Sequence, residues 1–474
     1  MRSSGKDRQW AQAEFSAAEL GDKRRTARLV QMAQQLSERP EMSLPEALGH
    51  TGALKAAYRF FDNADIAHES VLAPHVLSSI RRMRDRPVVL AVQDTSYIDY
   101  ATHPDTDGLG PLSGEGGHGM IMHGTFAVTP ERLPLGVLSL RLWARDPAKP
   151  RQRKTRRTRA IKDKESHKWI ESVQAVAQLK DRLPGTRLVS VADRESDVFE
   201  FFLEAQELGI DVLARAAYDR NVDGEQEQVF ATLASAPVLA QKFLALAATP
   251  KRKARTAKLE IRACPLVLHA PRNGTARGLA PLALWGVWAY EPEAPQGVEP
   301  LDWKLLTSVP VITAADALER LEWYAARWSI EQWHKVLKDG CRIEMRQLQS
   351  AERLKRLITV YAVIAWRIFY ATLLARLIPD MSCTAILQQE EWEALYCRIH
   401  HTPIPVATPP PLRQSVRWIA RLGGFLGRSG DGEPGSKTLW RGFQHLIAMT
   451  EMYRIMKPHM PATPPRPSKN VGND

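Results

Sequence analysis

Three short apolar runs constrain the fold of this chain more than any other feature of its sequence. They are PVVLAV at 87–92, RLVSVA at 187–192 and DVLARA at 211–216. Their length and their content of valine and leucine predict buried β-strands. A helical pattern over 198–208 joins the second run to the third, which gives a strand–helix–strand unit. The core of the protein is therefore predicted to be α/β.

An aspartate follows each of the first two predicted strands. The first strand is expected to end at Gln93-Asp94-Thr95, and the second is followed by Asp193. Aspartate is depleted inside strands, and functional sites of open α/β sheets collect at the carboxyl ends of buried strands. A turn or a helix cap explains one such aspartate equally well. Two of them favour a site at this edge of the sheet.

A third acidic residue lies on a predicted helix over Tyr324–Lys338, YAARWSIEQWHKVLK. At about 100° per residue, one side of this helix carries only apolar residues, which would pack on a core: Ala326, Ile330, Trp333, Val336 and Leu337. The other side carries one carboxylate among aromatic and basic groups: Tyr324, Arg327, Glu331, Lys335 and Lys338. Such a face suits a metal-bound acid beside phosphates. A surface helix with charge pairs is the alternative, and His334 is expected to be an ordinary surface histidine.

The order of elements predicts three regions in the 474 residues. Residues 1–72 form a helical unit, 73–377 the α/β core, and 378–474 a helical region with a proline-rich polar tail. The core includes a hairpin of strands at 120–128 and 135–143. Residues 217–312 are predicted to be a mainly β subdomain inserted into the core.

Basic residues favour a polyanionic partner. The chain has 65 Lys+Arg against 53 Asp+Glu, a net charge of +12. In the N-terminal unit, a helix capped by Asp22 carries several basic residues in its first turns, where they oppose the helix dipole. Phosphate contact explains them better than helix stability does, although a solvated basic patch is the alternative. The candidate DNA contacts of this unit are Arg24, Arg25, Arg28, Tyr58 and Arg59. The densest basic run, RQRKTRRTR at 151–159, is a further candidate.

Other classes of protein are disfavoured. The four cysteines lie far apart with no CxxC pair, so we expect neither a zinc site nor a disulfide framework, and a reducing cytosol is the expected setting. No apolar signal segment opens the sequence. The most apolar stretch, 357–377, contains Arg367 and Arg376 and is predicted to be a buried helix, with no membrane partner.

These residues together resemble the bacterial cut-and-paste DDE transposases of the insertion-sequence-four family. The signature Tyr-x2-Arg-x3-Glu-x6-Lys is met by Tyr324, Arg327, Glu331 and Lys338. Further segments resemble the family in the same order along nearly the whole chain: GDKRRTARLV, YRFFDN, QDTSY, ADRESD, PLDWKLLTS and ARLGGF. The long basic run at 151–159 and the C-terminal proline-rich loop depart from the family pattern.

The resemblance implies an RNase H-like core with a catalytic triad of Asp94, Asp193 and Glu331. Carboxylate oxygens favour Mg²⁺, for which Mn²⁺ can substitute, and we expect Asp94 to bridge two ions while Asp193 and Glu331 each hold one. The resemblance assigns Trp303 to stacking on a flipped base and Arg215 to the DNA end. The implied partners are double-stranded transposon ends, target DNA and a second copy of the chain on that DNA.

Two other functions fit part of the same pattern. A nuclease of the same fold would cut DNA without joining it. A catalytically inactive or domesticated relic would bind DNA, or inhibit transposition, without cutting. The intact set of Asp94, Asp193 and Glu331 favours the transposase over the relic.

Overall fold

The protein is an α/β protein organised on one mixed sheet, as predicted. The computed structural model describes residues 9–112, 117–148, 159–246, 253–273 and 275–459. A helical N-terminal region precedes the sheet and a helical C-terminal region follows it, which agrees with an RNase H-like core between helical parts. Most of the basic run at 151–159 and the tail beyond 459 lie outside the described residues.

The N-terminal region begins with short helices whose caps can be read in the sequence. The Asp22 carboxylate accepts a hydrogen bond from the backbone N–H of Arg24, and Ser43 and Glu46 form a capping box. The Asp22 cap is as the sequence predicts. The helices are α1 (Gln9–Phe15), α2 (Lys23–Glu38), α3 (Leu44–Leu48), α4 (Thr51–Asp62) and α5 (His68–Met83).

Ten strands of the described chain form the sheet, in the order β2-β3-β1-β5-β6-β10-β9-β8-β7, with β4 paired to β3. The central pairs β1–β5 and β5–β6 are parallel, and the remaining pairs are antiparallel. The strands are β1 (Val88–Asp99), β2 (Gly110–Pro111), β3 (His118–Val128), β4 (Pro134–Trp143), β5 (Arg187–Ala192), β6 (Asp211–Arg215), β7 (Val238–Leu246), β8 (Arg255–Leu268), β9 (Leu282–Tyr290) and β10 (Asp302–Thr307).

The first strand is longer than predicted. Its parallel pairing with β5 ends at Val92, but its antiparallel pairing with β3 continues to Asp99. Asp94 therefore lies inside β1, two residues beyond the end of the parallel pairing, and not at the end of the strand. The apolar run in the sequence marks only the part of β1 that is paired on both sides.

The inserted segment is β-rich as predicted, but it is not a separate subdomain. Strand β10 pairs with β6, and β9, β8 and β7 extend the same sheet outward. Strand β7 was not predicted, since its side chains alternate between exposed and half-buried positions and leave no apolar run.

Helices cover both faces of the sheet and build the C-terminal region. The predicted helix over 324–338 is interrupted at Arg327 and ends in a π-helical turn at Val336–Gly340. Helix α12 was not predicted. The helices are α6 (His167–Ala177), α7 (Phe199–Leu208), α8 (Val229–Ser235), α9 (Ala314–Ala326), α10 (Trp328–Lys335), α11 (Ala351–Leu377), α12 (Gln389–His400), α13 (Leu412–Leu422) and α14 (Ser436–Met456).

Helix α11 is the central helix of the molecule. By length and composition this helix could cross a membrane. However, 83% of its most apolar stretch is buried inside the protein, so it is a core helix as predicted. Its Arg356 side chain reaches into the N-terminal region, where the guanidinium donates to the backbone carbonyls of Phe61, at 2.9 Å, and of Ile66. Through this buried arginine, α11 holds α4 and its following loop against the core.

Replacing Arg356 with alanine is expected to lower the free energy of unfolding by about 2 kcal/mol, because charge-assisted hydrogen bonds are lost and buried carbonyls are left unpaired. Arg353→Ala is the matched control on the same helix. Arg353 pairs with an exposed carboxylate, Asp62, so its loss should cost under about 1 kcal/mol. Urea unfolding measures both; equal losses would contradict the anchoring role of Arg356.

Candidate active site

Asp94 and Asp193 lie side by side on one face of the sheet. Val92 and Val191 are register partners in the parallel pair β1–β5, and each aspartate stands two residues further along its chain. Side chains alternate between faces with a period of two, so both aspartates share the face of Val92 and Val191. Neighbouring strands are about 4.8 Å apart. The register therefore brings the first two predicted acids to the same part of the sheet, and their catalytic role stays a prediction.

Helix α10 lies against this face and brings the third acid. Ile330 and Trp333 are fully buried under it, and the Trp333 ring stacks on Phe126 of β3 with ring centres 5.2 Å apart. The helix approaches closely because Gly124, the register partner of Asp94, has no side chain: a Cβ there would lie 3.1 Å from the Trp333 ring. The apolar side of the helix is thus as the sequence predicts, and Glu331 lies on its partly exposed side.

Arg327 connects the acids of the helix and the sheet. Its Nη2 atom is 2.7 Å from Oε1 of Glu331, and its Nη1 atom is 3.9 Å from Oδ1 of Asp94. The residue is 9% exposed, and Tyr324, one helical turn earlier, is 7% exposed. Burial alone would lower the pKa of the guanidinium, but Tyr324, Asp94 and Glu331 raise it overall. Arg327 therefore remains a cation among the acids.

The two aspartates have pKa values above their ordinary range. Burial raises the pKa of Asp94 to about 7, with smaller upward contributions from Asp193 and Glu331 and a downward one from Arg327. Burial also raises the pKa of Asp193, which in addition receives a hydrogen bond from the backbone N–H of Glu195. Desolvation is thus a larger cause of the raised pKa of Asp94 than repulsion between the acids.

His334 was predicted to be a surface histidine, and this was wrong. It is 6% exposed, and its Nδ1 atom lies 3.7 Å from Oδ2 of Asp94. Burial, together with Lys338 and Arg327, lowers its pKa to about 3, so the ring is neutral. Its position one turn after Glu331 was the sequence signal that could have placed it at the site. Lys168 of α6 was also missed; it is buried, with Nζ 3.5 Å from Glu195.

The other residues predicted for DNA contact near the site lie around these acids. Trp303 shares the face of Leu305 on β10, and its ring meets that of Tyr324 edge to face, with centroids 6.0 Å apart. Arg215, at the end of β6, donates to the backbone carbonyl of Asp302 at 2.9 Å. Lys335 is exposed. The Lys338 ammonium contacts the Tyr97 carbonyl at 2.8 Å and the Glu344 carboxylate at 2.9 Å.

The predicted DNA contacts of the N-terminal region lie on α2 and α4, away from the acids in the chain. Arg24 is highly exposed but forms an ion pair with Asp22, the residue that caps α2. Arg25 binds the Leu20 carbonyl and the Asp65 carboxylate. Arg28 donates to Gln31. Tyr58 and Arg59 are exposed on α4. Their roles remain predictions.

The acids suit a divalent cation in donor type, although their present placement does not form a closed metal site. Carboxylate oxygens are the ligands that Mg²⁺ and Mn²⁺ prefer. Within the described ranges, no group of three or more His, Cys, Asp or Glu side chains stands close enough to hold a metal ion. Glu331 is instead bound by Arg327. Metal binding by all three acids would require Glu331 to leave this ion pair.

The raised pKa of Asp94 predicts a pH-dependent stability in metal-free buffer. The folded protein keeps a proton on Asp94 between about pH 4 and pH 7, where the unfolded chain has lost it. Stability therefore falls as the pH rises through this window. Asp94→Asn should remove that contribution and make the protein more stable than wild type at pH 8 by more than about 1 kcal/mol. Urea unfolding at pH 5 and pH 8 with chelator tests this; a variant destabilised equally at both values would contradict it.

Comparison with known protein families matches both ends of the chain. Residues 7–66 match the family described as transposase DNA-binding, and residues 363–460 match the Tn5 transposase dimerisation domain. The first match covers α1 to α4, and the second begins within α11 and covers the C-terminal helices. A mixed α/β core thus lies between a DNA-binding region and a dimerisation region.

This arrangement is that of a transposase. The two matches support a Tn5-like transposase of the insertion-sequence-four type, as the sequence predicts. They also support DNA binding and homodimer formation.

Proposed function

We propose that the protein catalyses cut-and-paste transposition of its own insertion sequence, with Asp94, Asp193 and Glu331 as the catalytic acids. The observation that supports the proposal is the approach of two neighbouring strands and one helix at one acidic site, with Arg327 between Asp94 and Glu331. In the transposases that the chain resembles, such a site performs all the DNA chemistry.

The proposed reaction is a series of displacements at phosphorus. Water first hydrolyses one strand at each transposon end. The freed 3′-OH attacks the opposite strand to form a hairpin, water reopens the hairpin, and the 3′-OH then joins the element to target DNA. Divalent ions bound by the three acids would supply an activated nucleophile and neutralise charge on the leaving oxygen.

The other residues of the site would position the DNA. Arg327 and Lys338 present fixed positive charge beside the acids and would bind phosphates of the cleaved end. Exposed Lys335 would do the same one turn away. Trp303 offers a ring for stacking on an unpaired base, which is worth about 1–3 kcal/mol by alanine replacement. Tyr324 is held beside that ring and would fix the neighbouring phosphate.

A strand-transfer assay separates the proposal from its alternatives. The substrate is pre-cleaved DNA that ends in the flanking inverted repeats of the element, supplied with Mg²⁺ and a target plasmid. A transposase joins the ends to the plasmid. A nuclease of the same fold cuts uncleaved ends but does not join them. A relic binds the ends and does neither, and its binding is the same in Asp94→Ala.

A further inference from the structure

A cavity of about 390 Å³ lies between the N-terminal helices, α11 and the C-terminal helices. Trp10 and Gln34 contribute from α1 and α2, Arg367 and Tyr370 from α11, and Gln444 from α14. Both regions that match transposase families therefore line it, and the acids of the active site do not. Its volume is in the range of small-molecule sites, which occur preferentially where domains meet.

Aromatic side chains form much of the wall. The rings of Trp10, Trp366, Tyr370 and Phe443 face the cavity. Trp366 and Tyr370 stack on each other with centroids 5.3 Å apart. A planar ligand would find flat apolar surfaces on more than one side of this cavity.

Arg367 brings a charge into the cavity without a partner of opposite charge. Its guanidinium lies over the rings of Trp10, at 4.8 Å, and Phe443, at 5.9 Å. Among the described residues it forms no ion pair. Burial lowers its pKa, although Glu391, Glu38 and Glu14 act against that effect from a longer distance. Arg367 is only partly exposed, and a guanidinium that faces a cavity without an ion pair offers a place for an anion.

Three carboxylates that line the cavity accept hydrogen bonds within the protein. Glu14 binds Arg82 and His75. Glu38 accepts a hydrogen bond from the side-chain amide of Gln34 at 3.0 Å, and burial raises the pKa of Glu38 to about 7. Glu391 accepts from the backbone N–H of Gln388 at 2.8 Å. These three acids are held within the protein, which favours an anionic ligand over a cationic one.

Further polar atoms at the cavity have no partner. Trp10 Nε1 and Gln444 Nε2 are buried donors without an acceptor, and Gln34 Oε1 is a buried acceptor without a donor. Buried polar groups are nearly always hydrogen-bonded. The two donors, Trp10 Nε1 and Gln444 Nε2, are therefore available to the acceptor oxygens of a bound molecule.

We propose that this cavity binds a small aromatic carboxylate. The carboxylate pairs with Arg367 and the donors beside it, and the ring lies among Trp10, Tyr370 and Phe443. Because the ligand contacts the DNA-binding helices and the dimerisation helices at once, it stabilises the contact between them. The proposal does not depend on the chemistry proposed at Asp94, Asp193 and Glu331.

Three probes that share an indole ring and differ in charge test the proposal on the full-length protein. Indole-3-carboxylate is expected to bind saturably by calorimetry and to raise the melting temperature. Neutral indole should bind at least tenfold more weakly, and cationic tryptamine should not bind. Equal effects of all three, or binding of tryptamine alone, would overturn the proposal.

Variants identify the contacts. Arg367→Gln should weaken indole-3-carboxylate binding at least tenfold. Trp10→Phe keeps an aromatic ring but removes the Nε1–H donor, and it should weaken binding by a smaller factor. This variant keeps the test decisive if Arg367→Gln does not fold. Arg376→Gln is the control on the same helix, because Arg376 binds the Pro434 carbonyl outside the cavity. Unchanged binding in both Arg367→Gln and Trp10→Phe would reject the site.

Discussion

Asp94→Asn is expected to abolish metal-dependent cleavage of transposon ends while end binding stays intact. Asparagine keeps the size of the side chain but loses the negative charge that a divalent cation requires. Loss of a residue that merely supports a metal ligand costs about 10–100-fold, so loss of a proposed ligand should cost at least about 100-fold. Cleavage of labelled end DNA gives the rate, and a gel-shift assay gives the affinity.

Asp99→Asn provides the control for this variant on the same strand. Asp99 lies near the end of β1, and its carboxylate accepts a hydrogen bond from the backbone N–H of Ala101. This substitution should leave cleavage within about twofold of wild type, since surface changes of this kind shift stability by under about 0.5 kcal/mol. If Asp94→Asn cleaved DNA as fast as Asp99→Asn, Asp94 would not be a catalytic acid.

Trp333→Ala is expected to produce the largest loss of stability among single substitutions in the helix that carries Glu331. The side chain is fully buried, stacks on Phe126 and donates from Nε1 to the Ala362 carbonyl at 3.0 Å. Truncation leaves a large cavity and removes this hydrogen bond, and such Trp→Ala changes cost about 3–5 kcal/mol. Chemical denaturation measures the loss.

Trp328→Ala is the matched control, from the first residue of the same helix. Trp328 is 58% exposed, so its truncation should change the free energy of unfolding by under about 0.5 kcal/mol. The contrast tests the placement of α10 on the sheet. Similar losses in the two variants would mean that the apolar side of this helix is not packed as described.

The acidic site could be predicted in large part because it depends on local patterns. Apolar runs located the two central parallel strands, and the period of two then places Asp94 and Asp193 on one face. The helical spacing of apolar residues predicted which side of the helix is buried, with Trp333, and which side carries Glu331. Each of these inferences requires only a few neighbouring residues.

Features that depend on pairing between distant segments could not be predicted. The extension of β1 to Asp99 arises from pairing with β3, and the union of the insertion with the core sheet arises from the pairing of β10 with β6. The burial of His334 depends on how close α10 comes to the sheet, which Gly124 permits from another strand. Arg327 and Glu331 are one helical turn apart, so their ion pair is local. The approach of Arg327 to Asp94 depends on the tertiary fold.

If Asp94, Asp193 and Glu331 jointly hold the divalent ions of the reaction, the ions should be visible in crystals of the protein with transposon-end DNA and Mn²⁺. Anomalous diffraction from such crystals should show manganese density in contact with all three carboxylates, with Glu331 released from Arg327. Manganese bound elsewhere, with Glu331 still paired to Arg327 in the DNA complex, would contradict this prediction.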